Sequence, residues 1–321
     1  MSKVAKLLGV KYAVIQGGMA CVSDARLAAA VSEAGGLGVI AAGSAPAEVV
    51  RREIVLARGL TAKPFGVNIM MMSPHTEDVA RVCLDEGVDV VLTGAGNPAR
   101  FMEGFKARGI KVVPVVPSVA IAVKMEKAGA DAVVAEGMEA GGHIGKLTTM
   151  AMIPQVADAV GIPVIAAGGI ADGRGAAAAL MLGAQGVQIG TRFLTAHECG
   201  VADAYKQAVL DASDISTTVT GAITGHPVRV IRNEFSRMLE EYDFVSKEQK
   251  AEAASKLEEL GAGALQRAVD GDVTGGSVMA GQIAGLVRKR RSAAEIVSEI
   301  VRECREAIAK AHGSGGGLCS E

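Results

Sequence analysis

The stretch Gly87-Val-Asp-Val-Val-Leu-Thr-Gly94 decides the fold, because the chain keeps repeating it. It is echoed by Gly129-Ala-Asp-Ala-Val-Val-Ala-Glu-Gly137 and by Gly183-Ala-Gln-Gly-Val-Gln-Ile-Gly190. Gly109-Ile-Lys-Val-Val-Pro-Val115 and Gly161-Ile-Pro-Val-Ile-Ala-Ala-Gly168 lie between them. Each leading glycine suits the left-handed position that ends a helix, and each apolar run reads as a short strand buried on both faces. The segments 76–85, 98–108, 120–128 and 173–182 carry apolar residues at helical spacing. Strand and helix alternating without hairpin signals predict a parallel sheet. Working backward, strands are expected at 13–16, 37–41 and 65–70, and helices at 24–34 and 47–58. Eight strands and eight connecting segments are complete near Leu194, so the fold class is α/β, a (β/α)8 TIM barrel. An open doubly wound sheet is the alternative. The barrel is preferred because every strand ends in glycines or small polar residues, as eight mouth loops would.

One interval is out of line. The glycines at 87, 109, 129, 161 and 183 are separated by 22, 20, 32 and 22 residues, and the long interval holds Glu136-Gly-Met-Glu-Ala-Gly-Gly-His-Ile-Gly145. About ten extra residues therefore follow the sixth strand, on the face where barrel chemistry occurs.

Composition narrows the class. Of 321 residues, 33 are basic and 35 acidic, so no global field favours nucleic acid. With no tryptophan, three tyrosines and six phenylalanines, the core is aliphatic. No apolar run suggests a membrane span and no leader pattern is seen. Five scattered cysteines without a CxxC predict reduced thiols in a cytoplasmic setting, with no structural metal site. After Leu194 the chain grows more charged and helical, notably at 232–241 and 247–260, before small apolar residues return at Gly275. The expected division is a barrel at 1–198, a small helical cap at 199–271, a return segment at 272–311 ending in a helix at 293–311, and a flexible tail at 312–321.

Four constellations carry candidate chemistry. Gly168-Gly169 and Gly190-Thr191 follow strands seven and eight, where barrels bind phosphate through backbone N–H groups. Tight corners are the plainer use of the same glycines. His143, flanked by glycines, projects from the long loop as a candidate acid–base group, with Glu136 and Glu139 nearby. His75, His197, His226 and His312 are weaker, and none has metal-ligand spacing. Gly94-Ala-Gly-Asn-Pro-Ala99 fits the loose dinucleotide fingerprint but lacks the acidic residue about 20 positions on, so any nicotinamide binds without a Rossmann domain. Arg288-Lys-Arg-Arg291 reads as a solvated helix edge or as a docking patch for an acidic partner.

Several of these strings, with Gln16-Gly-Gly-Met-Ala20, Pro64-Phe-Gly-Val-Asn-Ile-Met70, Val113-Pro-Val-Val-Pro-Ser118, Ala167-Gly-Gly-Ile-Ala-Asp-Gly173 and Gly276-Ser-Val-Met-Ala-Gly-Gln282, resemble the FMN-dependent enoyl-[acyl-carrier-protein] reductase II (FabK) family, within the nitronate monooxygenase superfamily. The resemblance runs from about residue 6 to 310. It implies that Met19, Asn68 and Glu136 line the flavin, that Gly168, Gly169, Gly190 and Thr191 surround its phosphate, and that Met279 and Gln282 close over the ring. It also implies a homodimer, with NADH favoured over NADPH, and leaves a monovalent cation open.

The expected chemistry is reduction of a trans-2-enoyl thioester on acyl carrier protein, with His143 as donor toward the thioester oxygen. Met70-Met-Met72 reads either as a wall for the acyl chain or as core filling. The alternatives are a nitronate monooxygenase in which His143 manages an α-proton, a flavin-binding sensor, and a phosphate-binding aldolase or isomerase.

Overall fold

The computed structural model describes residues 2–246 and 249–313. Eight parallel strands form the central sheet: β1 (Val14–Gln16), β2 (Gly38–Gly43), β3 (Phe65–Met70), β4 (Val90–Gly94), β5 (Lys111–Val116), β6 (Val133–Glu136), β8 (Val164–Ala167) and β9 (Gly186–Ile189). Their order is β1-β9-β8-β6-β5-β4-β3-β2. A parallel bridge between Ile15 and Leu37 joins the two ends, with Leu37 N–H donating to Val14 O at 2.9 Å and Gln16 N–H to Leu37 O at 2.9 Å. The sheet therefore closes on itself, which rejects the open arrangement.

Alternation along the strands separates two apolar layers. Ile15, Leu37, Val39, Leu92, Val113, Val134, Ile165 and Ala167 fill the interior, while Val14, Ile40, Val67, Val91, Val133, Ala166 and Val187 face the helices. An N-terminal helix, Lys3–Leu8, contributes Val4, Ala5 and Leu8 to the interior cluster. A Cβ on Gly186, at the start of β9, would lie 3.1 Å from Val4 Cγ1, so this helix plugs the bottom of the barrel. Only the C-terminal mouth is left for chemistry.

The helices form where expected, with ends set by caps. Asp24 accepts from Leu27 N–H to begin Ala25–Glu33, Ser118 caps Val119–Lys127, and Asp172 caps Gly173–Met181. The expected helix 98–108 is split into a 3-10 turn, Ala99–Phe101, and Met102–Ala107. Gly87, Gly109, Gly129 and Gly183 take the left-handed conformation, but Gly161 does not. There the preceding helix, Thr149–Ala159, runs out into extended backbone at Val160, and Gly161 N–H donates to Glu126 at 2.7 Å.

Two sequence expectations are corrected. The eighth barrel helix does not directly follow β9. Only Thr191–Leu194 does, and the layer is completed by Ala293–Gly313, which packs between Gly173–Met181 and Ala25–Glu33. The fit is close enough that a Cβ on Gly173 would sit 2.2 Å from Cys304 N. Nor is the 199–271 segment all helical. It contains β10 (Thr217–Thr220) and β11 (Val228–Ile231), an antiparallel hairpin that pairs with β7 (Gly142–His143) from the long barrel loop. Helices Glu234–Asp243, Lys250–Gly261 and Ala264–Val269 complete it around Phe235, Leu239, Leu257 and Ala264. The start of the helix expected at 247–260 (Lys247, Glu248), Cys319 and the tail from 314 onward lie outside the described residues.

Candidate active site

Three strands carry inward-facing polar residues toward the mouth. Asn68 on β3, Glu136 on β6 and Gln188 on β9 each alternate with side chains that face the helical layer. Glu136 and Gln188 share one register row, flanking Ala167 of β8. Glu136 is half-buried, no described residue hydrogen-bonds its carboxyl, and burial pushes its pKa up to about 7. Gln188 is buried and its Oε1 also lacks a partner. A buried polar atom without a partner costs stability, so Gln188 and the unpartnered Glu136 in its row mark a place built for something else. Asn68 makes one long contact, Nδ2 to Gly18 O at 3.5 Å.

The loops above that row form a cradle. Gly168 and Gly169 have φ of +83° and +73°, and a Cβ on Gly168 would sit 2.6 Å from Gly137 O. Thr149 Oγ1 donates to Gly168 O at 2.9 Å and fixes this corner. The backbone N–H groups of Gly168, Gly169 and Gly190 donate to no described residue. Met19 reaches across from the loop after β1, its Sδ 3.5 Å from where a Gly190 Cβ would be. Its own N–H donates to Ser23 Oγ at 2.9 Å, and Gln16 Nε2 bonds the same hydroxyl at 2.7 Å.

His143 stands at the rim on β7, accessible to solvent. Surrounding protein lowers its pKa, first by desolvation and then through nearby His226, so the imidazole is neutral at neutral pH. Glu139 does not orient it. Its carboxylate accepts from Thr149 N–H at 2.9 and 3.0 Å and from Thr149 Oγ1 at 3.1 Å, tying the loop to the start of Thr149–Ala159.

The returning chain seals one side. Gly281 N–H donates to Thr191 Oγ1 at 2.9 Å and Gln282 N–H to Glu139 O at 2.9 Å. Thr191 is buried and its hydroxyl already accepts that bond, so its place is partly structural. Met279 is half-buried, bridges Val230, and brings its Sδ within 3.4 Å of a Gly142 Cβ. Tyr205 Oη holds the Met279 carbonyl at 2.7 Å.

A family model described as nitronate monooxygenase matches residues 1–83 and 77–303. The chain belongs to the nitronate monooxygenase family. Among solved structures, FabK from Thermotoga maritima is 47% identical, with a TM-score of 0.94 over 98% of this chain and 99% of that one. A nitroalkane oxidase from Streptomyces ansochromogenes is 32% identical, with a TM-score of 0.82 over 96% and 99%. A probable nitronate monooxygenase of Staphylococcus saprophyticus is 37% identical, covering 75% of this chain and 81% of the relative. A (3aS,4S,5R,7aS)-5-hydroxy-7a-methyl-1-oxo-octahydro-1H-indene-4-carboxyl-CoA dehydrogenase of Mycobacterium tuberculosis is 40% identical, covering 73% and 67%. This member of the family is therefore an oxidoreductase, and none of its described helices is long and apolar enough to cross a membrane.

Sequence reasoning missed Gln188 and Tyr205 and placed His226 only among the weaker histidines. The polar Gln188 inside the apolar run Gly-Val-Gln-Ile was a readable signal, as an unexplained polar residue in a buried strand. Met72 is 63% exposed while Met70 and Met71 are half-buried, so core filling does not account for all three. In the basic run, Arg290 pairs with Asp203 at 2.6 Å, Arg291 with Glu299 at 3.3 Å, and Arg288 bonds Ala212 O at 3.0 Å. Three of its four cations are engaged within the chain.

Proposed function

We propose that this family member is an FMN-dependent enoyl thioester reductase that uses NADH to reduce trans-2-enoyl-[acyl-carrier-protein]. The observation that carries the reading is the full-length likeness to FabK, at 47% identity against 32% for the nitroalkane oxidase. A second relative whose printed name ends in carboxyl-CoA dehydrogenase is also consistent with a thioester substrate.

The mouth fits FMN. Free N–H groups at Gly168, Gly169 and Gly190 suit a phosphate, and the unpartnered Gln188 amide and Glu136 carboxyl suit the polar edge of a planar heterocycle. Asn68 and Met19 would line the ring on one side, Met279 and Gln282 on the other, and Thr191 would support the phosphate loop through Gly281. Bound FMN supplies the two-electron relay between NADH and the 2,3-double bond of the thioester. His143, neutral at neutral pH, directs an N–H at the thioester oxygen, where negative charge gathers as Cβ is reduced. The proton that reaches Cα comes from solvent, because a neutral imidazole that gave up its N–H would be left as imidazolate. Tyr205, by holding the Met279 carbonyl, keeps the return segment over the site and limits water access.

The decisive experiment is anaerobic. NADH bleaches the flavin of the purified protein, and crotonyl thioester restores its colour. Oxygen uptake with propyl-3-nitronate and no NADH requirement would instead establish the nitronate reading, which the family model and the staphylococcal relative favour. The proposed partner is acyl carrier protein, and the proposed assembly is a homodimer.

A further inference from the structure

We propose that His226 is a positioning residue for His143, set on the same face of the cap ribbon and tuning the pH at which the rim imidazole gains its proton. The inference rests on the reading of His143 given above and adds a residue from the cap to that site.

The register makes the case. His143 pairs directly with Val228 in antiparallel alignment, and the pairing continues outward through Ile144 N–H to Pro227 O at 3.1 Å. His226 therefore occupies the diagonal position to His143, on the side chain face they share, where such neighbours lie about 7–8 Å apart. Val228 is the direct cross-strand neighbour of His143 on that face, and Arg229 lies on the opposite one, buried and bonded to Met138 O at 3.1 Å and Thr217 Oγ1 at 3.2 Å.

The turn that carries His226 is held rather than loose. Gly225 has φ +84°, Thr224 Oγ1 accepts from His226 N–H at 3.1 Å and donates to Gly221 O at 2.8 Å. Asp243 accepts from Gly221 N–H at 2.8 Å and Ile223 N–H at 3.0 Å, which ties the turn to the end of helix Glu234–Asp243. The cap thus delivers an imidazole to the barrel rim at a defined place.

The remaining charges near His143 do not take over this role. On its own loop, Glu139 is bound by Thr149 and Lys146 is distal to Ile144 and Gly145. On β6, Glu136 faces the barrel interior; on β11, Arg229 points to the other face; on the return segment, Met279 to Gln282 carry no charge. Desolvation is the first cause that lowers the His143 pKa, and His226 is the one neighbouring side chain that adds to it.

The test is a charge series at position 226, in the full chain with FMN bound. His143 is followed by NMR in protein labelled with 13C at histidine Cε1, its signal assigned by its loss in His143→Gln. His226 is exposed, and only its backbone N–H is hydrogen-bonded, so His226→Asn, His226→Lys and His226→Asp leave the fold intact. Two charges ~8 Å apart in a water-like medium shift a titration midpoint by about 0.4 pH unit. The His143 midpoint should rise in the order Lys, Asn, Asp, with the outer pair about 0.8 pH unit apart, and the spread should shrink in high salt. The acid limb of thioester-dependent NADH oxidation should move with it. Equal midpoints across the series overturn the inference, as does an acid limb that stays put while the midpoint moves. A wild-type protein without thioester-dependent turnover refutes the proposed function instead, and the midpoint series still decides the coupling.

Discussion

Glu136→Gln in flavin-free protein isolates the cost of keeping a carboxyl at the barrel mouth. The structure sets the size of the effect. The side chain has no hydrogen-bond partner among the described residues, and burial pushes its pKa from 4.5 up to about 7. An acid whose pKa is raised on folding holds more protons in the folded state between those two values. Its contribution to stability is therefore lost as pH rises from about 4.5 to 7 and stays lost above that. A gap of 2.5 pH units, at about 1.4 kcal/mol each, gives a penalty of about 3 kcal/mol at pH 8 and little at pH 5. Glutamine has nearly the same shape and cannot ionise. Urea unfolding of both proteins at pH 5 and pH 8 should show the variant close to wild type at pH 5 and more stable by up to about 3 kcal/mol at pH 8. Other titrating groups cancel in the difference. A stability difference that is the same at both pH values would refute the reasoning, because the carboxyl would then have found a partner or enough water.

Four further outcomes are expected. His143→Ala should retain FMN while enoyl-thioester-dependent NADH oxidation falls about 10²–10⁴-fold; unchanged turnover would remove the histidine from the chemistry. Gly168→Ala should weaken FMN binding and lower stability by about 1–3 kcal/mol, because its Cβ would sit 2.6 Å from Gly137 O at a φ of +83°; flavin titration and thermal melts check both. Tyr205→Phe should cost about 1 kcal/mol by freeing the Met279 carbonyl, and should raise the rate at which reduced flavin is reoxidised by air. Lys289→Glu alters the exposed cation of the basic run that has no partner among the described residues, and should raise KM for carrier-protein substrates but not for coenzyme A analogues. Equal KM changes for the two substrates would remove the run from docking.

Much of the barrel was legible because its signals are local. Gly87, Gly109, Gly129 and Gly183 end helices in the left-handed conformation, and that requirement is written in the residue itself. Gly161 looked the same in sequence and behaves differently, since the helix before it unwinds at Val160 and Glu126 takes up the freed amide. The helix Thr149–Ala159 was obscured by its internal Pro154 and by the loop before it. The hairpin Thr217–Ile231 was passed over in a charged segment, although Thr-Thr-Val-Thr and Val-Arg-Val-Ile are rich in the β-branched residues that strands favour.

The repeat of short aliphatic runs and helix-ending glycines was enough to specify eight parallel strands, because burial on both faces and left-handed backbone are properties of a few adjacent residues. Sequence spacing also marked the long loop and its histidine. Closure of the sheet through Ile15 and Leu37, the bottom plug from Val4 and Leu8, and the use of a helix about 100 residues downstream as the eighth of the layer were settled by long-range packing. So was the pairing of His143 with Val228 and the approach of Met279 to Gly142, which join residues 85 and 137 apart in the chain. Such contacts depend on how distant surfaces match in three dimensions, and no local pattern of residues encodes that match.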